Sequence, residues 1–256
     1  MREKLVENWL DSATERTFQL PFCHMLVAQG HRIVHVTRHW EGELGKDVIS
    51  IAPSGTVCAY QLKTARGPRI RLSDWQGGMA QQTETLVTTR VDHPSIPKRR
   101  HHRSFLVTNR LLEESVSAAI ERRNEAWAAQ GIPRFRLDVW ERGWLLKHAL
   151  ELESRLWPTE LANERMLLEL FLLTGREPLP KSKLAALLEP VLCLTEGSKK
   201  PSHADARRRA ASAALLCALA TASFAANRPA FNVEVQQSVR QPLSVFCSRG
   251  TSWVGC

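Results

Sequence analysis

The constraint that narrows the fold most is a set of three short β-branched segments confined to residues 31–63. They are His31-Arg32-Ile33-Val34-His35-Val36, then Asp47-Val48-Ile49-Ser50-Ile51, then Thr56-Val57-Cys58-Ala59-Tyr60-Gln61-Leu62-Lys63. Pro53-Ser54-Gly55 separates the last two, so they read as strands joined by a turn into a hairpin. Upstream, Leu5, Val6, Trp9 and Leu10 have helical spacing, and Phe18, Phe22, Met25 and Leu26 continue it to Gly30. Pro21 is expected to kink or divide that stretch, because it lacks an amide donor. Downstream come a helix over 75–88, a loop through His93-Pro94 and Ile96-Pro97, a strand over 104–109 and a helix over 112–129. Gly131-Ile132-Pro133 ends that helix, a strand follows over 135–140, and another helix opens near Arg142. Helix, three strands, helix, strand, helix, strand predicts an α/β domain with helices packed on a mixed central sheet. That domain is placed at residues 1–150. Residues 151–256 form an all-helical C-terminal region, with helices over 166–173, 183–191 and 204–226 and weak strand character after 232.

Composition excludes several classes. Hydrophobic residues at 43% and charged residues at 24% are ordinary globular values, so a disordered or fibrous chain is ruled out. The longest apolar run, 210–226, is Ala-rich and interrupted by Ser212, Thr221 and Ser223. It reads as a buried helix, since a membrane span needs about 20 strongly apolar residues. The charged start Met1-Arg2-Glu3-Lys4 shows no secretory signal, which makes the expected location cytoplasmic. The six cysteines form no C-x-x-C pair, and the histidines lack metal spacing, so buried thiols are expected rather than disulfides or zinc.

The net charge of +9 is unevenly placed. Residues 61–110 hold ten basic side chains against three acidic ones. Such a stretch is either a solvated surface or a track for a polyanion, because Lys and Arg on phosphates supply most non-specific nucleic-acid affinity.

The chemistry gathers at the hairpin. Strand alternation puts Gln61 and Lys63 on one face, on the side shared with Asp47. Asp47 and an oxygen from Gln61 suit a hard divalent cation, and Glu15 on the first helix can complete that site. Lys63 can orient or help deprotonate a water and offset charge on a phosphate under attack. Each residue also has a structural alternative. Ser12-Ala13-Thr14-Glu15 reads as a capping box with Glu15 at N3, Asp47 as a turn residue and Lys63 as a solvated strand end.

Glu43-Leu44-Gly45-Lys46-Asp47 followed by Gln61-Leu62-Lys63 resembles the PD-(D/E)xK nuclease superfamily, and more narrowly the Mrr-like restriction endonucleases and related anti-phage defence nucleases. Phe105-Leu106-Val107-Thr108-Asn109 and Arg142-Gly143-Trp144 also look familial, so the resemblance spans about residues 10–150. It implies a restriction-endonuclease-like sheet and a Mg2+- or Mn2+-dependent endonuclease cutting DNA in restriction or phage defence. Asp47 would be the metal ligand, Gln61 the occupant of the second acidic position, Lys63 the motif lysine and Glu15 the helix carboxylate. Gln for Glu removes one negative charge from the cation site, which raises the weight on Glu15 and then on Glu43. Glu43 ranks below Glu15, because a salt bridge to Arg38 or Lys46 would account for it equally well. Arg66, Arg69, Arg71, Lys98, Arg99 and Arg100 are the expected DNA-backbone contacts. His93 is either a cleft residue or a structural hydrogen-bonder. The rival functions are an RNase or tRNA-cleaving toxin on the same scaffold and a non-cleaving DNA-binding or scaffold protein. The helical region is expected to regulate, to form a homo-oligomer or to dock a defence-system partner.

Overall fold

The computed structural model describes residues 2–37, 45–65, 67–97, 100–153, 166, 169–170, 179–192 and 202–225. They fall into two compact units. A sheet unit holds Thr14–Gln19 and Gln29–Lys147, and a helical unit holds the described residues of Met1–Ala13, Leu20–Ala28 and His148–Cys256. Residues 1–13 and 20–28 thus group with the C-terminal helices, whereas sequence placed them with everything up to 150.

The sheet unit is α/β, with a mixed five-stranded sheet in the order β1-β2-β3-β5-β7. Strands β1 (Arg32–Val36), β2 (Val48–Ile51) and β3 (Val57–Lys63) form an antiparallel meander. β5 (His102–Thr108) and β7 (Leu137–Trp140) continue the sheet parallel to β3. The β2–β3 turn closes where Gly55 adopts φ +81° and its amide donates to the Ala52 carbonyl at 2.8 Å. β3 is central and buried along all but its last residue, as its nearly continuous apolar run requires. Two further segments, β4 (Arg69–Ile70) and β6 (Leu111–Leu112), pair in parallel just past the ends of β3 and β5.

One sheet face, through Ala59, Leu106 and Leu137, packs on Leu86 and Val87 of helix α3 (Ala80–Thr88) and Val116, Ile120 and Trp127 of α4 (Glu114–Ala129). Burying several such side chains stabilises by about 1.5–3 kcal/mol each. Asn124, inside α4, exchanges both its amide groups with the backbone of Leu137 and so fixes where β7 begins. The predicted helix over 75–88 is more broken than its pattern suggests. A turn at Leu72–Asp74 and a π segment at Trp75–Met79 precede α3, because Gly78 takes φ +121° inside the stretch.

Of the two outcomes expected at Pro21, a kink or a division, the division is not there. α1 (Arg2–Ser12) ends at Ser12, and α2 (Glu15–Ala28) runs through Pro21. Thr14 and Thr17 explain the boundary: the Thr14 amide donates to Thr17 Oγ1 at 2.8 Å, and the Thr17 amide to Thr14 Oγ1 at 3.4 Å. This reciprocal cap stands in place of the Ser12–Glu15 box that was the structural alternative for Glu15. Ser12 instead donates its hydroxyl to the Trp9 carbonyl at 3.0 Å.

In the helical unit, α6 (Lys181–Leu192) buries Leu184, Leu187, Leu188 and Leu192, the i, i+3, i+4, i+8 stripe of an amphipathic helix. It packs against α7 (His203–Ala225), which also touches α1. α5 (Arg142–Glu153) starts in the sheet unit and ends in the helical one. Ser202 caps α7 by accepting the Asp205 amide at 3.1 Å. No described helix is long and apolar enough to cross a membrane. Cys23, Cys58 and Cys217 are free and buried. The weak strand signal after 232 and most of 166–173 lie outside the described residues.

Burial pushes the His24 imidazole on α2 down to a pKa of about 4. A depressed pKa means that protonation opposes folding, so stability is complete above pH 6.5 and falls as pH drops through 4. About 2.5 pKa units correspond to roughly 3 kcal/mol. Urea unfolding at pH 7.5 and 4.5 is expected to show this loss in the wild type and a distinctly smaller one in His24→Gln, which cannot titrate.

Candidate active site at the end of β3

β3 outruns its antiparallel partner, and the amides left beyond β2 are taken by carboxylates. The Asp47 amide donates to the Tyr60 carbonyl at 2.8 Å, and Asp47 Oδ2 accepts the Leu62 amide at 2.6 Å. Asp47 therefore grips both neighbours of Gln61. The next amide on that edge, Thr64, donates to Glu15 Oε1 at 3.2 Å. Amides two residues apart on a strand are about 7 Å apart, so the two acids reach one short stretch of backbone. Glu15 Oε2 lies 3.9 Å from Lys63 Nζ, with the two side chains 33% and 18% exposed, so both remain within reach of solvent.

Glu15 is available for this because the Thr14–Thr17 cap leaves it as the first residue of α2 with no capping duty. One turn along the same helix face, Gln19 Nε2 donates to the Asp47 carbonyl at 3.3 Å and the Thr37 carbonyl at 3.2 Å. Gln19 thus ties the start of α2 to the segment carrying Asp47. Its i+4 spacing from Glu15 was the only sequence signal for that role.

Gln61 is 3% exposed. Its Nε2 donates to Gln82 Oε1 at 3.3 Å, while its Oε1 is buried with no hydrogen-bond partner among the described residues. Thr64 Oγ1 is in the same condition three residues on. A buried acceptor left unmatched costs about 1–3 kcal/mol, which makes Gln61 Oε1 the most informative atom here. Gly45 holds φ +73°, and a Cβ there would sit 3.0 Å from the Gln82 carbonyl oxygen. Only glycine lets the chain pass this close on its way to Asp47. Lys46 is 4% exposed, and burial pushes its ammonium down to about 8.

The basic stretch, contiguous in sequence, is divided in space. Arg69 and Arg71 are exposed at the β4 end, and Arg110 joins them there, its Nε donating to the Ala65 carbonyl at 3.1 Å. Arg100 lies beside the β2–β3 turn, its guanidinium 3.5 Å from the Cβ position of Gly55. Val57 pairs with His102 at that end, so Arg100 is about 20 Å of strand away from Lys63. Arg103 is committed to Asp138 at 2.7 Å and to the face of Phe105. His93 Nδ1 accepts the Ser95 amide at 3.1 Å, which makes His93 a shaper of its own turn. Trp75 is in the core, and Trp140 stacks on Trp144 at 3.9 Å between ring centroids. Glu43, Arg66, Lys98 and Arg99 lie outside the described residues.

Among the described residues, no three His, Cys, Asp or Glu side chains gather as metal ligands. The oxygen set at β3 consists of two carboxylates and one amide oxygen, the donor chemistry that hard divalent cations prefer. No family model matches the chain, and no curated protein or solved structure does.

Proposed function

We propose that the sheet unit is a divalent-metal-dependent endonuclease of the restriction-endonuclease-like kind, hydrolysing DNA phosphodiester bonds in cytoplasmic restriction or phage defence. The observation that carries this reading is the buried, unmatched Oε1 of Gln61 beside the backbone held by Asp47 and Glu15. Helix, antiparallel meander, helix and parallel strand follow one another in the order the motif requires, and this supports the same reading.

Asp47, Glu15 and Gln61 Oε1 would hold a Mg2+-class cation, whose contribution is to polarise a phosphoryl oxygen as a Lewis acid. The remaining work belongs to side chains. Lys63, kept near Glu15, orients the attacking water and offsets negative charge building on the phosphate. Arg69, Arg71 and Arg110, at the same end of β3, neutralise neighbouring phosphates without reading bases. The helical unit would regulate the nuclease, assemble it or dock a partner.

The test is incubation of the purified protein with plasmid DNA and with total RNA, each with Mg2+ or with EDTA. Nicking of plasmid with Mg2+ alone is the expected result. Cleavage confined to RNA would move the substrate to RNA, and Mg2+-independent cleavage would remove the metal from the reading.

A further inference from the structure

We infer that the turn end of the sheet is a second nucleic-acid-binding surface, which takes a segment of duplex DNA other than the one at Lys63. The strand register lines up its parts. Arg32 pairs with Ile51, Ile51 with Val57 and Val57 with His102, in one row across β1, β2, β3 and β5. Three strand spacings make that row about 14 Å wide. Arg32 stands at its β1 end. Arg100, two residues before His102, lies beside the β2–β3 turn with its guanidinium 3.5 Å from the Cβ position of Gly55. Arg90 joins them through its neighbour Val91, which packs with Ile51 on the small apolar cluster of Ile49, Val57 and Ile96.

Arg32, Arg90 and Arg100 are exposed, and none of their guanidiniums makes a hydrogen bond or ion pair among the described residues. Arg103, Arg123 and Arg136 in the same unit are instead paired with Asp138, Glu84 and Glu121. The loop that carries Arg90 also carries one exposed acid, Asp92, which leaves the cations in excess. A planar guanidinium with no acid partner fits two phosphate oxygens at once, and each phosphate so neutralised adds affinity without regard to sequence. Arg100 is about 20 Å of strand away from Lys63. β3 is buried along all but its last residue, so a duplex on the Lys63 end finds no open path over β3 to the turn end. The two ends therefore serve separate segments.

Calorimetric titration of the full chain with a duplex of about one helical turn, at low salt in EDTA, is the test. Two duplexes per chain are expected for the wild type and one for Arg32→Gln/Arg90→Gln/Arg100→Gln, whose changes fall on exposed side chains and leave the core intact. Lysine at all three positions should keep the second duplex, because a phosphate contact needs charge first. A triple glutamine variant that binds as many duplexes as the wild type would overturn the inference. So would a variant that keeps its duplexes but loses binding of poly-glutamate, the mark of an acidic protein partner. Two bound duplexes with no nicking of plasmid in Mg2+ would instead overturn the nuclease reading and leave this surface in place.

Discussion

Asp47→Asn is expected to fold, to lose divalent-cation binding by at least about 100-fold, and to lose plasmid cleavage with it. The asparagine oxygen can still accept the Leu62 amide that Asp47 Oδ2 holds at 2.6 Å, so the end of β3 keeps its hydrogen bond. What disappears is charge. Gln61 is neutral, so this change leaves Glu15 as the single carboxylate among the described candidates. Asp47→Ala should do the same to the cation and also leave the Leu62 amide unmatched, adding about 1–3 kcal/mol of destabilisation. Comparing the two variants by thermal melt and Mg2+ calorimetry separates the structural duty of Asp47 from its electrostatic one. An Asp47→Asn protein that binds Mg2+ as tightly as wild type would show that its carboxylate only caps the strand.

Ending the chain after Glu196 is expected to collapse the helical unit. It removes α7, whose Leu215, Leu216 and Leu219 are each at most 5% exposed and contribute about 1.5–3 kcal/mol apiece through burial. α6 and α1, whose buried residues include Leu184 and Leu188, and Trp9 and Leu10, lose a helix that they touch. No described strand is removed, because the last of them ends at Trp140. Hydrogen exchange is the discriminating measurement, with α1 amides expected to become unprotected in the truncated chain. Full protection of α1 would mean that α7 adds little to that unit.

The sheet was legible because its strands are short apolar runs bounded by turn residues, β-branched most clearly in β1 and β2, and β3 in particular reads as buried on both faces. Asp47, Gln61 and Lys63 could be found together for the same reason, since a hairpin brings its ends to one place. Glu15 could be seen as a helix carboxylate, with a Ser12–Glu15 capping box as its structural alternative. Thr14–Thr17 and Ser12–Glu15 satisfy the same local chemistry, and only the backbone path toward β3 decides between them. The division of the basic stretch was invisible for a geometric reason. Residues 69 and 100 flank a helix and a loop that return the chain to the opposite end of β3, so sequence neighbours become about 20 Å apart. Gln82 and Gly45 act through contacts between elements distant in sequence, which no periodicity announces, and Gln19 offered only its i+4 spacing from Glu15.

Lys63→Ala tests the nuclease at this site most directly. The described ion pair of its ammonium, to Glu15 at 3.9 Å, is long, so its removal should spare the fold, and Mg2+ should still bind through the oxygen ligands. Plasmid nicking at saturating Mg2+ is predicted to fall by about 100-fold or more, the scale of a lost proton-handling or charge-stabilising group. Lys63→Arg should fail equally, since a planar guanidinium neither fits the ammonium's place nor gives up a proton near neutral pH. Nicking by Lys63→Ala at the wild-type rate would contradict catalysis at β3 and leave a DNA-binding role in its place.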